Sequence, residues 1–127
     1  MKEELKFYIC KHCGNVIVKL ENSGVPVVCC GEKMGELVPG TVDASVEKHI
    51  PVVEIVDDTV NVKVGDVPHP MTEEHYISWI LIVTQSGYQV KYLNINKEAE
   101  ASFKVDEKVL EVYEYCNIHG LWKKTVE

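Results

Sequence analysis

The chain has 127 residues, of which 46% are apolar, enough for one ordinary domain or a domain with a small appendage, and for a core without disulfide staples. Its formal net charge of -7 argues against a general nucleic-acid surface, which needs a basic stripe, and disfavours docking on anionic membranes. An anionic substrate would have to be drawn in by a local positive patch against the global field.

The start of the chain is polar and mixed in charge, and no window approaches the roughly 18 apolar residues of a membrane span. The expected location is the cytoplasm, where five cysteines are metal ligands or reactive thiols rather than a disulfide frame. Residues 5–9 and 16–20 are predicted strands flanking Cys10 and Cys13 as a short hairpin, and residues 24–28 lead into Cys29-Cys30-Gly31. A unit spanning 1–36 is too small for a self-sufficient core and needs a staple. Residues 35–42 read as a linker into a second domain over 37–127.

That second domain alternates apolar and polar residues between turn signals. Predicted strands 52–56 and 60–64 flank Asp57-Asp58-Thr59 as a hairpin. Strands 76–84 and 88–95 flank Gln85-Ser86-Gly87, and strands 101–105 and 109–115 flank Asp106-Glu107-Lys108. The expected class is all-β, with an antiparallel sandwich. The one helical candidate is a turn near Thr72-Glu73-Glu74, a cap followed by acids.

Two constellations carry chemistry. Cys10-Lys11-His12-Cys13 is a C-x2-C knuckle followed by Gly14, which permits the tight turn that aims both sulfurs at one point. Its partner is the adjacent pair Cys29-Cys30, and adjacent strand residues point to opposite faces. Both reach one ion only if the chain bends there, as Gly31 allows. Four thiolates fit tetrahedral zinc or iron. His12 is then a surface residue or a donor near the sulfurs.

The second constellation draws on Glu47-Lys48-His49-Ile50-Pro51, on Pro68-His69-Pro70 continuing to His75, and on Cys116-Asn117-Ile118-His119. Prolines stiffen the first two segments. Cys116 has no cysteine nearby in sequence, so its partners are imidazoles, and a thiolate among imidazoles is metal chemistry. A buried inert thiol is the competing reading. Four imidazoles and one thiolate exceed the count structural zinc prefers, and five ligands leave one octahedral position open, which suits iron.

These segments, Glu-Lys-His-Ile-Pro-Val, Pro-His-Pro-Met-Thr-Glu-Glu-His-Tyr-Ile and Tyr-Cys-Asn-Ile-His-Gly-Leu-Trp, resemble the signatures of the superoxide reductase family. With the four-cysteine module they resemble its two-iron desulfoferrodoxin type. The resemblance implies a desulforedoxin-like or rubredoxin-like iron–tetrathiolate domain followed by an immunoglobulin-like sandwich. It implies two irons, one held by Cys10, Cys13, Cys29 and Cys30. The other would have His49, His69, His75 and His119 as equatorial ligands and Cys116 as the axial one. It also implies reduction of superoxide to hydrogen peroxide, a rubredoxin-like electron donor and a homodimer. Lys48 would attract the anion, and Glu47 would ligate the oxidised iron. An electron-transfer protein without catalysis and a zinc-stabilised binding module are the alternatives.

Overall fold

The computed structural model describes residues 4–40 and 49–126. The chain divides into two compact units, Met1–Val38 and Pro39–Glu127. Every element named below is a strand. No helix among the described residues is long and apolar enough to cross a membrane.

The first unit holds β1 (Phe7–Ile9), β2 (Val16–Val18), β3 (Val28–Cys29), β4 (Glu32–Lys33) and β5 (Gly35–Leu37). β1 pairs antiparallel with β2 on one side and β5 on the other, while β3 and β4 form a separate two-residue hairpin. β5 falls within the stretch read as a linker. Its Gly-Glu-Leu alternation is too short to register as a strand, and only the open edge of β1 makes it one. Buried apolar side chains in this unit are Phe7, Cys10 and Met34. Leu20, Val25 and Val28 stand exposed.

The second unit holds β6 (Pro51–Val56), β7 (Thr59–Val64), β8 (Ile77–Thr84), β9 (Tyr88–Tyr92), β10 (Glu100–Lys104), β11 (Val109–Cys116) and β12 (Gly120–Thr125). They form a three-stranded sheet in the order β10-β7-β6 and a four-stranded sheet in the order β12-β11-β8-β9, all antiparallel. Alternate residues meet between the layers: Val60, Val62 and Val64 of β7, Phe103 of β10, Ile80 and Ile82 of β8, and Val112 and Cys116 of β11. Each large apolar side chain so buried stabilises the fold by about 1.5–3 kcal/mol. The β6–β7 hairpin turns on Asp57-Asp58 as the sequence predicts, with Asp57 at φ 53 in the left-handed region that Asp tolerates.

Two expectations are corrected. The strand predicted to reach residue 95 stops at Tyr92, with one last bond to β8 from the Leu93 N–H to the Ser78 carbonyl at 3.0 Å. The residues around Asp106-Glu107-Lys108 join strands of different sheets, and Glu107 is tied to Thr84 and Ser86 by their hydroxyls. Thr72 does cap a turn, but the turn closes on His75 and does not start a helix.

The two sheets leave β9 and β10 as unpaired edges. Side chains close this seam: Gln89 donates to the Lys104 carbonyl at 3.0 Å and Lys91 to that of Ser102. Occupied carbonyls and a lysine make a poor template for another strand.

Candidate metal centres

Among the described residues two groups of ligating side chains gather: Cys10, Cys13, Cys29 and Cys30, and His49, His75, Cys116 and His119. In each, the ligand atoms lie within 4.8 Å of one another.

The first group is built from two turns. The Gly14 N–H donates to the Cys10 carbonyl at 2.9 Å, and the Cys10 N–H to Asn15 at 2.9 Å, with Gly14 at φ 85. This closes the knuckle. The adjacency of Cys29 and Cys30 is resolved where the sequence places the bend: Cys30 has φ 53 and Gly31 φ 78. A left-handed conformation at a non-glycine residue costs about 1–2 kcal/mol, which the convergence of four sulfurs must offset. The Cys13 and Cys29 sulfurs lie 3.6 Å apart, and Asn15 Nδ2 is 3.6 Å from Cys29 Sγ. The backbone N–H of Cys13 leads in lowering the Cys10 thiol to about 6, while Cys30 is pushed up to about 12, first by sharing a hydrogen bond with Cys10. One thiolate thus suppresses the next, and a cation would release all four. His12 is exposed and faces Glu32 at 3.2 Å.

The second group sits at the end of the sandwich core. A bulge between Tyr115 and Cys116 shifts the pairing of β11 with β8, and the Cys116 side chain is fully enclosed. Bulges re-aim side chains in this way. The turn from β11 to β12 then carries His119, whose N–H donates to Cys116 Sγ at 3.4 Å. Burial raises the Cys116 thiol, and the N–H groups of His119 and Ile118 pull it partly back.

The four imidazoles form a closed ring of edge contacts. Centroids of neighbouring rings lie 4.7 Å apart for His49–His69, 4.6 Å for His69–His75, 5.0 Å for His75–His119 and 4.9 Å for His119–His49. Each of these pairs is inclined by 77° to 88°. Across the ring, His49 and His75 stand 6.5 Å apart at 30°. The His49 Nε2 is 3.1 Å from both His69 Nε2 and His119 Nδ1. His69, outside the tightest group, therefore still joins it, with its Nε2 3.5 Å from Cys116 Sγ.

The protonation of His69 follows from its partners. Its Nδ1 lies 2.7 Å from the Pro70 carbonyl, which only accepts, so Nδ1 carries the hydrogen. Burial lowers its pKa to about 4, so the ring is neutral at pH 7 and Nε2 presents a lone pair to the centre. Nitrogen lone pairs and a sulfur converging on one buried point fit a transition metal, and five donors exceed the four that structural zinc takes.

Sequence reasoning missed Trp122 and Glu114. Trp122 stacks on His49 at 4.8 Å and 21°, and its Nε1 donates to the His119 carbonyl at 3.1 Å. Its place beside Gly120 in a strand after the ligand turn was the available signal. Glu114 is fully buried with no hydrogen-bond partner among the described residues on either carboxylate oxygen, and burial raises its pKa well above the ordinary value. Glu47 and Lys48, singled out from the sequence, lie outside the described residues.

Comparison with known proteins places these sites in context. Residues 41–125 match the family model described as desulfoferrodoxin. A desulfoferrodoxin from Syntrophotalea carbinolica is 43% identical over 122 residues, covering 96% of this chain and 97% of that protein. The superoxide reductase of Treponema pallidum superposes with a TM-score of 0.82 at 42% identity, covering 97% of this chain and 100% of that one. A superoxide reductase of the 1Fe type from Giardia intestinalis gives 0.55 at 33% identity and covers 64% of this chain and 98% of that one.

Proposed function

The chain belongs to the desulfoferrodoxin family and is a superoxide reductase, and from that premise we propose that His49, His69, His75 and His119 with Cys116 hold its catalytic iron, while Cys10, Cys13, Cys29 and Cys30 hold a second. The observation that carries the assignment is the closed ring of four imidazoles with a buried sulfur beside it. In this reading the domains are 1–36 and 37–127, which the unit boundary after Val38 supports. A rubredoxin-like carrier supplies electrons, the chain pairs as a homodimer, and it works in the cytoplasm.

His49, His69, His75, His119 and Cys116 would hold iron, whose chemistry there would be one-electron reduction of superoxide, with two protons, to hydrogen peroxide. The protein's residues set the conditions. The Pro70 carbonyl holds His69 in the tautomer that leaves Nε2 bare. The sulfur of Cys116 is an electron donor, and the N–H of His119 withdraws part of that density. That withdrawal would moderate the donation that, in haem–thiolate enzymes, promotes O–O cleavage.

Lys48 follows from charge. A protein of net charge -7 repels superoxide, and Lys48 is bonded to the buried ligand candidate His49. Lys48→Ile should lower the second-order rate with superoxide about tenfold at low salt. An unchanged rate would remove Lys48 from this role. Glu47→Ala should alter the visible spectrum of the oxidised protein and spare the fast reduction step.

The activity is tested by mixing pulse-generated superoxide with the reduced full-length protein. One peroxide formed per electron spent is the expected result. Oxygen release without an external reductant would mark a dismutase instead, and a colourless zinc protein would sink the iron assignment.

A further inference from the structure

We propose that Asn117 is a positioning residue that locks the loop carrying His75 to the turn carrying Cys116, so that one amide sets two ligands drawn from distant segments. The inference rests on His75 and Cys116 being ligands of the same ion. Asn117 directly follows Cys116. Its Nδ2 donates to the Glu74 carbonyl at 3.0 Å, and its Oδ1 accepts the Tyr76 N–H at 2.9 Å. Its own N–H donates to the Tyr76 carbonyl at 3.1 Å. The residues so gripped lie immediately before and after His75.

An asparagine beside a turn ordinarily bonds its own neighbours two or three residues away. This one spans 41 and 43 positions along the chain, which local turn-making does not explain. The orientation of the amide is fixed by its partners, because a backbone N–H only donates and a carbonyl only accepts. One donor and one acceptor at that spacing is what a planar carboxamide provides. A carboxylate of the same shape would set an oxygen against the Glu74 carbonyl.

The far side of the loop is tied down separately. The Thr72 N–H donates to the His75 carbonyl at 2.9 Å, and the His75 N–H to Thr72 Oγ at 3.2 Å. His75 is thus held through its own peptide by Thr72 and through both flanking residues by Asn117. Without the Asn117 side chain the Thr72 turn persists, anchored at its start by the Asn96 N–H on the Met71 carbonyl at 2.8 Å and at its end by the Asn117 N–H on the Tyr76 carbonyl at 3.1 Å, but the peptides on either side of His75 lose their side-chain tie to the Cys116 turn. The ring of His75 would then lose its fixed bearing on His69, His119 and the Cys116 sulfur.

The test compares full-length, iron-loaded wild type with Asn117→Ala, Asn117→Asp and His75→Ala. The readouts are the rate of iron loss from the histidine–cysteine centre to a ferrous chelator, the line shape of its oxidised paramagnetic signal, and the visible spectrum of the four-cysteine centre. Asn117→Ala should release iron about tenfold faster and broaden the signal, the scale on which outer partners of metal ligands act. Asn117→Asp should be as defective, although it keeps the volume, and the four-cysteine spectrum should not change. Wild-type release and line shape in Asn117→Asp would overturn the proposal, and this near-isosteric variant decides the matter if Asn117→Ala does not fold. If His75→Ala kept its iron with a wild-type signal, the ligand reading would fail and take the clamp with it. Loss of iron from His75→Ala beside a normal Asn117→Asp would remove the clamp alone.

Discussion

The two units reach order by opposite routes. In the first, strands of two or three residues surround three buried apolar side chains, and four sulfurs converge from two turns, one of them held in a left-handed conformation. In the second, strands of five to eight residues bury a continuous core, and candidate ligands stand at its end, Cys116 on the last residue of β11 and His75 and His119 on turns fixed by hydrogen bonds. In one unit a bound metal would stand in for a core. In the other a core exists first and presents ligands.

The sharpest way to break this contrast is to remove the metal. Chelation of the full-length protein should release the amides of β1, β2 and β5 to fast hydrogen exchange, because binding free energy on the order of 10 kcal/mol is folding free energy in such small modules. Amides of β8 and β11 should stay protected. Protection retained in the first unit would show that it folds without its ion.

A smaller effect should come from the core. Phe103→Ala removes a fully buried ring and should cost the sandwich about 3–5 kcal/mol. Both tryptophans, Trp79 and Trp122, lie in the second unit, so their fluorescence during denaturant unfolding reads that unit. A shift below about 1 kcal/mol would mean that the ligand loops rather than the core hold the sandwich.

The smallest effect, taken per unit of pH, concerns Glu114. Burial raises its pKa well above 4.5, so the folded protein keeps a proton that the unfolded chain releases above that value. The folded state then binds more protons, and stability falls as pH rises, by at most about 1.4 kcal/mol per pH unit for one group. Glu114→Gln lacks this penalty. Thermal melts should show the variant matching wild type near about pH 4 and gaining on it as pH rises above that value. A pH-independent difference would refute the burial argument.

What the sequence made legible follows from this contrast. Patterns carried by neighbours along the chain were readable: the Asp57-Asp58 hairpin, the knuckle of Cys10 and Cys13, and the bend at Cys30-Gly31. So were the segments bearing His49, His69, His75, Cys116 and His119, because proline and close spacing mark them. Features fixed by remote partners were not. β5 exists because β1 offers it an edge, and the crossing at residues 106–108 depends on which sheet each strand joins. The grip of Asn117 on residues beside His75 leaves no trace in composition, since a turn asparagine looks the same whether it bonds locally or across the fold.

The ring of imidazoles has a mechanical consequence. Neighbouring rings stand steeply inclined at 4.6–5.0 Å between centroids, so the four mesh somewhat as gears do, and a turn of one presses on those beside it. Trp122, lying flat against His49, brakes one wheel and therefore the train. A disturbance at any single histidine is in this sense shared by all four, and the centre responds as one body rather than as four independent arms.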